Sequence, residues 1–252
     1  MLVQSTVRPR NQLLAALGLA DFNLLQPHVT PVTLKLRFEL EKRDRPIDDV
    51  YFIDEGIASV VAVQARTQRV EVGLIVCEGM SGTSVLLDSG SSPHSTYMQV
   101  AGEGQHISTA SLRNAMEQSK TLQKKLLHYV QVFNVQTTHT AIANAQARLD
   151  ERLARWVLMA HDRVSGDTLP LTHEFLSLML GVRRSGVTEA LQSLARQEFI
   201  TNGRGQIIVL NRKGIERTAG VLYGVPEAEY RRLIQCPDSY RDTAPLRPLG
   251  MI

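Results

Sequence analysis

Apolar residues recur along this chain with two different periods, and the change of period divides it. From Thr30 to about Gln105 they fall in short β-prone runs between turn residues: Pro31 to Leu40, Val50 to Ile53, Ile57 to Gln64, Val70 to Cys77 and Tyr97 to Val100. In the fourth run Val70, Val72, Leu74 and Val76 alternate strictly, which predicts a strand with one apolar face. Several short strands at close spacing predict an antiparallel sandwich or barrel. Asn11 to Leu19, ahead of them, predicts a short helix resting on Leu13, Leu14 and Leu17. After them Ser111 to Gln118 predicts another short helix. Thr121 to Ala147 predicts a long one, free of Gly and Pro. At ~1.5 Å per residue it would extend about 40 Å. Leu126, Val130, Phe133, Thr137, Ala141 and Asn144 recur on it at three- and four-residue spacing. A narrow seam on so long a helix usually pairs with something. Packing across the β-unit is the alternative.

The period is again helical in Leu149, Leu153, Trp156, Val157 and Ala160, and then in the stretch Leu171 to Ile200. Thr172 is a good N-cap, because its hydroxyl can accept from a free backbone N–H of the first turn. Phe175 and Met179 face a core one turn apart. Gly181 stands where the chain must turn without a Cβ clash. Val187, Leu191 and Leu194 then form one buried stripe. Arg184, Ser185, Thr188, Glu189 and Gln192 are left on the opposite edge. This is the pattern of a helix-turn-helix, whose second helix places its N-terminal residues at base edges in the major groove. An ordinary αα-hairpin with a solvated face would show much the same pattern. Two further features favour DNA. Phe199 to Thr201, the turn Asn202-Gly203-Arg204-Gly205 and Gln206 to Leu210 predict a hairpin, hence a wing. Between Thr172 and Arg217 there are seven basic residues against four acidic ones, a balance that suits phosphate contact. A reader of symmetric DNA needs a two-fold axis, so the long helix is expected to pair two copies. Asn211 is a further cap, for a helix from Arg212 to about Ala219. The tail from Pro226 shows only a short helical stretch near Glu227 to Ile234.

Composition adds modest limits. The chain has 252 residues, 43% hydrophobic and 21% charged, with a formal net charge of +3. These are globular values. The two cysteines, Cys77 and Cys236, lack CxxC partners, which points to a reducing compartment and away from zinc or an iron–sulfur cluster. No apolar run approaches the ~18 residues of a bilayer span, and the N-terminus lacks a signal-peptide core. A soluble, cytoplasmic protein is expected.

The order small helix, β-unit, long helix, winged helix resembles the Crp/Fnr family of bacterial transcription factors, over about residues 11–220. Two stretches carry the resemblance. Tyr51-Phe52-Ile53-Asp54-Glu55-Gly56 looks like the family's strand and glycine turn. Leu180-Gly181-Val182-Arg183-Arg184-Ser185-Gly186-Val187-Thr188 looks like its turn and recognition helix. The resemblance implies an α+β chain: an N-terminal β jelly roll like a cyclic-nucleotide-binding domain over 1–120, a dimerisation helix over 121–148, a winged helix-turn-helix over 149–225 and a tail over 226–252. Double-stranded DNA and a second copy of the chain are the implied partners. RNA polymerase and a small-molecule effector are further candidates.

In the sensing pocket this chain departs from the family. A cyclic-nucleotide binder carries a cassette opening Gly-Glu and closing about ten residues later in Arg-Ser or Arg-Thr. Aligned from Gly82, with Gly90 on a family glycine, the chain has Thr83 in place of the Glu and Pro93 in place of the Arg. A shift of one residue offers only His94, followed by Ser95. No bidentate cation is available for a phosphate, and burying one unpaired would cost several kcal/mol. Tight binding of cyclic AMP or GMP is therefore not expected. No cofactor or metal is expected either: no His/carboxylate group marks a metal site, and lone histidines such as His28, His94, His106 and His128 are ordinary surface or core residues rather than haem ligands. The expected DNA-contact set is Thr172, Arg183, Arg184, Ser185, Thr188, Glu189 and Arg204. Arg184 can take guanine O6 and N7 together, and Glu189 can accept from a cytosine amino group. Arg183 stands where a Ser or Thr cap is usual. Gly186 within the helix either weakens it by about 1 kcal/mol or lets it approach the DNA backbone closely. With no nucleophile-elbow sequence, an enzyme is not expected. The alternative class is a ligand-sensing module whose winged helix contacts protein.

Overall fold

The computed structural model describes residues 9–65, 68–164 and 166–235. Residues 1–8 of the polar N-terminal stretch 1–10, which is expected to be loose, lie outside the described residues, as do Cys236 and the rest of the tail beyond residue 235. Helix α1 (Gln12–Ala15) is capped by Asn11, whose side chain accepts from the Leu14 N–H. The Asn11 amide donates to the carbonyls of Ile53 and Gly79 at 2.7 and 2.9 Å, tying the helix to the β-unit. The helix stops earlier than the pattern to Leu19 predicts. Gly18 is extended and starts a second helix, α2 (Leu19–Leu25).

The β-unit holds β1 (Thr30–Leu34), β2 (Glu39–Glu41), β3 (Asp49–Ile53), β4 (Ile57–Ala65), β5 (Gln68–Ile75), the single-turn α3 (Thr83–Leu86), β6 (Ser95–Val100) and β7 (Gly102–Ser108). Two antiparallel sheets result, ordered β1-β7-β3 and β2-β6-β4-β5. Leu34, Leu40, Ile53, Ala58, Val60, Ile75 and Met98 fill one cluster of the core. The run Pro31 to Leu40 is two strands rather than one, parted by a turn in which Arg37 takes φ 65°. Strand β7 carries little apolar signal because two of its residues are glycines. A Cβ at Gly104 would lie 2.5 Å from the Phe52 carbonyl oxygen, so the neighbouring strand needs that glycine.

The alternation in β5 is broken by a bulge. Its pairing with β4 shifts register between Val60 and Val61. Because one slipped residue exchanges the faces of a strand, Val72 packs with the sandwich core. Leu74 and Val76 turn outward into a second core. From Glu71 to Ile75 both faces of β5 are thus covered, while Val70 is exposed, and the expectation of a single apolar face is corrected.

Helix α4 (Thr109–Gln118) is capped by Ser108 and α5 (Lys120–Gln146) by Ser119. The inner side of α5 lies on the β-unit, with Leu122, Leu126, Tyr129 and Val132 buried among Val50, Phe52 and Met80. This corrects the expected pairing seam. Leu126 is fully buried in its own chain, Val130 and Phe133 pack on β-unit clusters, and Thr137 lies against Gly73. Of the six seam residues only Ala141 and Asn144 are exposed. Gly73 is what permits this: a Cβ there would stand 2.6 Å from the Phe133 ring.

Helix α6 (Leu149–His161), strand β8 (Thr168–Leu169), α7 (His173–Leu180), α8 (Arg184–Arg196), β9 (Ile200–Gly203), β10 (Gln206–Val209) and α9 (Arg212–Ala219) form the C-terminal unit. Its core is continuous with Ile57, Leu74 and Val76 of the β-unit. Helix α10 (Val225–Tyr230) runs into a π-helical turn over Arg231–Gln235. Tyr230 and Ile234 there join the core beside α5. Among the described residues no helix is long and apolar enough to cross a membrane.

Candidate nucleic-acid interface

Helix α7 starts on Thr172, whose hydroxyl accepts from the Phe175 N–H at 3.1 Å. It ends on Gly181 in the left-handed region, φ 61°. Helix α8 follows after two residues. Val187, Leu191 and Leu194 on it are fully buried, which turns the opposite edge outward: Arg183, Arg184, Ser185, Glu189 and Gln192 are all exposed. Arg183 occupies the cap position and makes no capping bond. Gly186 does not face the open edge. A Cβ there would come within 3.2 Å of Leu149, so the glycine fits α8 against α6. In the wing, Gly205 takes φ 72° and leaves Arg204 exposed at the tip.

A chain of hydrogen bonds joins the three parts. The Asn202 amide of β9 reaches His173 Nε2 at 3.2 Å, and His173 Nδ1 reaches the Thr188 hydroxyl at 3.2 Å. That hydroxyl donates to the Arg184 carbonyl at 3.0 Å. One histidine tautomer satisfies every link: Nε2 accepts from the amide and Nδ1–H donates to Thr188. The Thr188 hydroxyl is thereby already engaged, and the residue is half-buried. Arg184, 64% exposed, pairs with Glu174 of α7 at 2.6 Å. His173, Glu174 and Asn202 do not stand out in the sequence, since they have no periodicity of their own. Only the folded turn brings them to α8.

Buried polar contacts seat this unit on the β-unit. The Ser59 hydroxyl donates to Glu71 Oε2 at 2.5 Å and the Trp156 indole N–H to Oε1 at 3.4 Å. Trp156 also meets Phe175 edge to face, ring centroids 5.0 Å apart. Arg163 pairs with Glu78 nearby. Burial pushes the Glu71 carboxyl up to about 8, against the pull of its two donors and of Arg155. Glu78 and the other charges close to Arg163 hold that guanidinium above its usual range, outweighing burial.

Residues 151–218 match the family model of the Crp-like helix-turn-helix domain. The structure of FixK2 from Bradyrhizobium japonicum superposes with a TM-score of 0.67 at 17% identity, over 77% of this chain and 98% of that one. TTHA1359, a CRP/FNR-family transcriptional regulator from Thermus thermophilus, superposes with a TM-score of 0.61 at 21% identity, over 75% of this chain and 98% of its own. The C-terminal unit thus carries a Crp-like helix-turn-helix domain, and the chain shares the fold of these two structures. The curated regulator SdrP, also from Thermus thermophilus, is 33% identical over 81 residues, 30% of this chain and 40% of that protein. The match therefore spans well under half of SdrP's length.

In fold the β-unit is the expected jelly roll, superposing with the β-rich N-terminal part of these structures. A cavity of about 400 Å³ opens in it, lined by Glu41, Val60, Val72, Ile75, Thr83, Ser84, Ser92, Pro93, His94 and Thr96, together with Phe133 and Thr137 of α5. Thr83, Pro93 and His94, which the sequence marks as a degenerate effector cassette, thus reach one cavity. Gly82 and Ser95 do not line it. Gly82, in the left-handed region, donates its N–H to Glu41 Oε1 at 2.7 Å, and Ser95 pairs with Val61 across the sheet. Glu41 is not legible as a lining residue, because strand β2 lies some forty residues before the cassette. Among the described residues no group of three or more His, Cys, Asp or Glu could hold a metal.

Proposed function

We propose that this chain is a DNA-binding transcription regulator that works as a homodimer, reads a palindromic operator and is not controlled by cyclic AMP. The observation that carries the reading is the exposed edge of α8, from Arg183 to Gln192, braced by α7 and the wing within a Crp-like helix-turn-helix. Arg184 would take a guanine through O6 and N7. Arg183 and Arg204 would hold phosphates, and Thr172 would sit at the rim of the groove. Ser185 and Glu189 would set the neighbouring positions of the half-site. The half-sites would be about one helical turn apart, ~34 Å. RNA polymerase is the further partner that the reading implies, and the cytoplasm the compartment.

Pairing of two copies is supported by the outer face of α5. Leu127 and Ile142 there are 38% and 40% exposed, and Gln131, Asn134, Thr138, Ala141 and Ala145 continue the same face at three- and four-residue steps, exposed throughout. That is coiled-coil spacing, one position round the helix from the seam that periodicity alone predicts. Ile142→Glu should convert the dimer to monomer in sedimentation equilibrium without lowering helicity. A variant sedimenting as a dimer would remove α5 from the interface.

A gel shift against the chain's own upstream DNA tests the regulator reading. Arg184→Ala should weaken operator binding by about 1–3 kcal/mol and relax preference at a single base position. Unchanged affinity and preference would take Arg184 out of base contact. No retardation by any duplex at low salt, with cell metabolites present, would favour a winged helix that contacts protein instead.

A further inference from the structure

The jelly-roll cavity contains a buried carboxylate. Glu41 is 7% exposed and has no salt-bridge partner among the described residues. Its carboxylate accepts the Gly82 N–H, and Thr96 stands beside it. Thr96 is 1% exposed and lines the cavity; its hydroxyl has only the Glu41 carboxylate beside it and is free to accept. His94 Nδ1, on the same wall, is buried and unpartnered. Three acceptor-capable groups therefore surround one space, and the facing wall of Val60, Val72, Ile75 and the Phe133 ring is apolar. Buried polar atoms without partners are rare in folded proteins and often mark a site that a ligand or water completes. A buried carboxylate is most strongly satisfied by a cation that brings N–H donors.

We propose that the cavity binds a small organic cation, an amidinium or primary ammonium on an apolar body, with its nitrogen on Glu41 and its body against Phe133. Thr96 and His94 accept the remaining N–H groups. The volume, about 400 Å³, is at the small-molecule end of binding pockets. Burial also holds the Glu41 carboxyl above its usual range, a penalty that a bound cation would relieve. Phosphate esters are excluded by the same charge. Because Phe133 and Thr137 belong to α5, an occupant touches the helix whose outer face is proposed to pair two copies. The chemistry of the cavity stands without the regulator reading; a regulatory role for its occupant rests on that reading.

Purified full-length protein would be titrated without DNA, by thermal shift and isothermal calorimetry, with benzamidine and phenethylamine as probes. Benzoate and cyclic AMP serve as anionic controls. The cations should raise the melting temperature in proportion to concentration, and the anions should not. Glu41→Gln, a neutral replacement of the same shape, should weaken benzamidine by about tenfold or more. Should that variant fold poorly, Thr83→Arg brings an internal cation to the cavity mouth and should abolish the benzamidine response. No response to either cation at millimolar concentration would overturn the proposal. So would equal response to benzoate, or benzamidine binding indifferent to both variants. Amidine binding in a protein that retards no DNA would leave the cavity assignment standing and defeat the regulator reading.

Discussion

Trp156→Ala is expected to destabilise the folded chain by about 3–5 kcal/mol, the range for truncating a buried large aromatic. Trp156 is 4% exposed. It lies where the core of the C-terminal unit meets Leu74 and Val76 of the jelly roll. The substitution removes the edge-to-face contact with Phe175 and one of the two side-chain donors to Glu71. Trp156→Phe keeps most of the apolar volume and loses mainly the N–H, so its effect should be nearer 1 kcal/mol. Urea unfolding followed by circular dichroism measures both. Trp156 is also the only tryptophan of the chain, so wild-type fluorescence reports directly on the seating of the winged helix. Equal destabilisation by Ala and Phe would mean that the indole N–H, rather than packing, dominates the contact.

The second large effect is a pH dependence centred on Glu71. The carboxyl titrates near 4.5 in the unfolded chain and at about 8 in the folded one. Below pH 4.5 both states hold the proton and the folded state has its full stability. From 4.5 to 8 the folded protein retains a proton that the unfolded chain has released, so stability falls as pH rises. Above 8 the loss levels off at a few kcal/mol, since each tenfold difference in proton affinity between the two states is worth about 1.4 kcal/mol. Glu71→Gln removes the titration and keeps acceptors and donors for Ser59 and Trp156. Its melting temperature should exceed the wild type's at pH 8 and converge on it near 4.5. Parallel curves for the two proteins across that range would show that Glu71 ionises in the folded chain without penalty.

Much of the fold is legible because its signals are local. Thr172, Gly181 and Asn211 announce caps and a turn, and each does so in the structure. Val187, Leu191 and Leu194 announce a buried stripe. Two misreadings are local, the early stop of α1 and the turn at Arg37; the others are long-range. A bulge in β5 cannot be seen from its own residues, since it is defined by pairing with β4. The inner face of α5 passes for a seam between copies because periodicity shows that a helix has an apolar side, not what covers it. Gly73, some sixty residues away, decides that. At the candidate site the exposed edge of α8 is legible from its complement, the buried stripe. The bracing by His173 and Asn202 is not, nor is Glu41 in the cavity. In each case distant strands or turns supply groups with no pattern of their own.

Arg184 enters any encounter with a duplex already holding its own counter-charge, Glu174. An exposed pair of this kind is weak, so a guanine can displace the carboxylate easily. Yet the exchange frees no ion condensed on the DNA through that arginine. The displaced Glu174 is left facing a polyanion. The first helix of the motif thus carries a small built-in repulsion, and a site that does not offer Arg184 a base edge gives nothing to offset it.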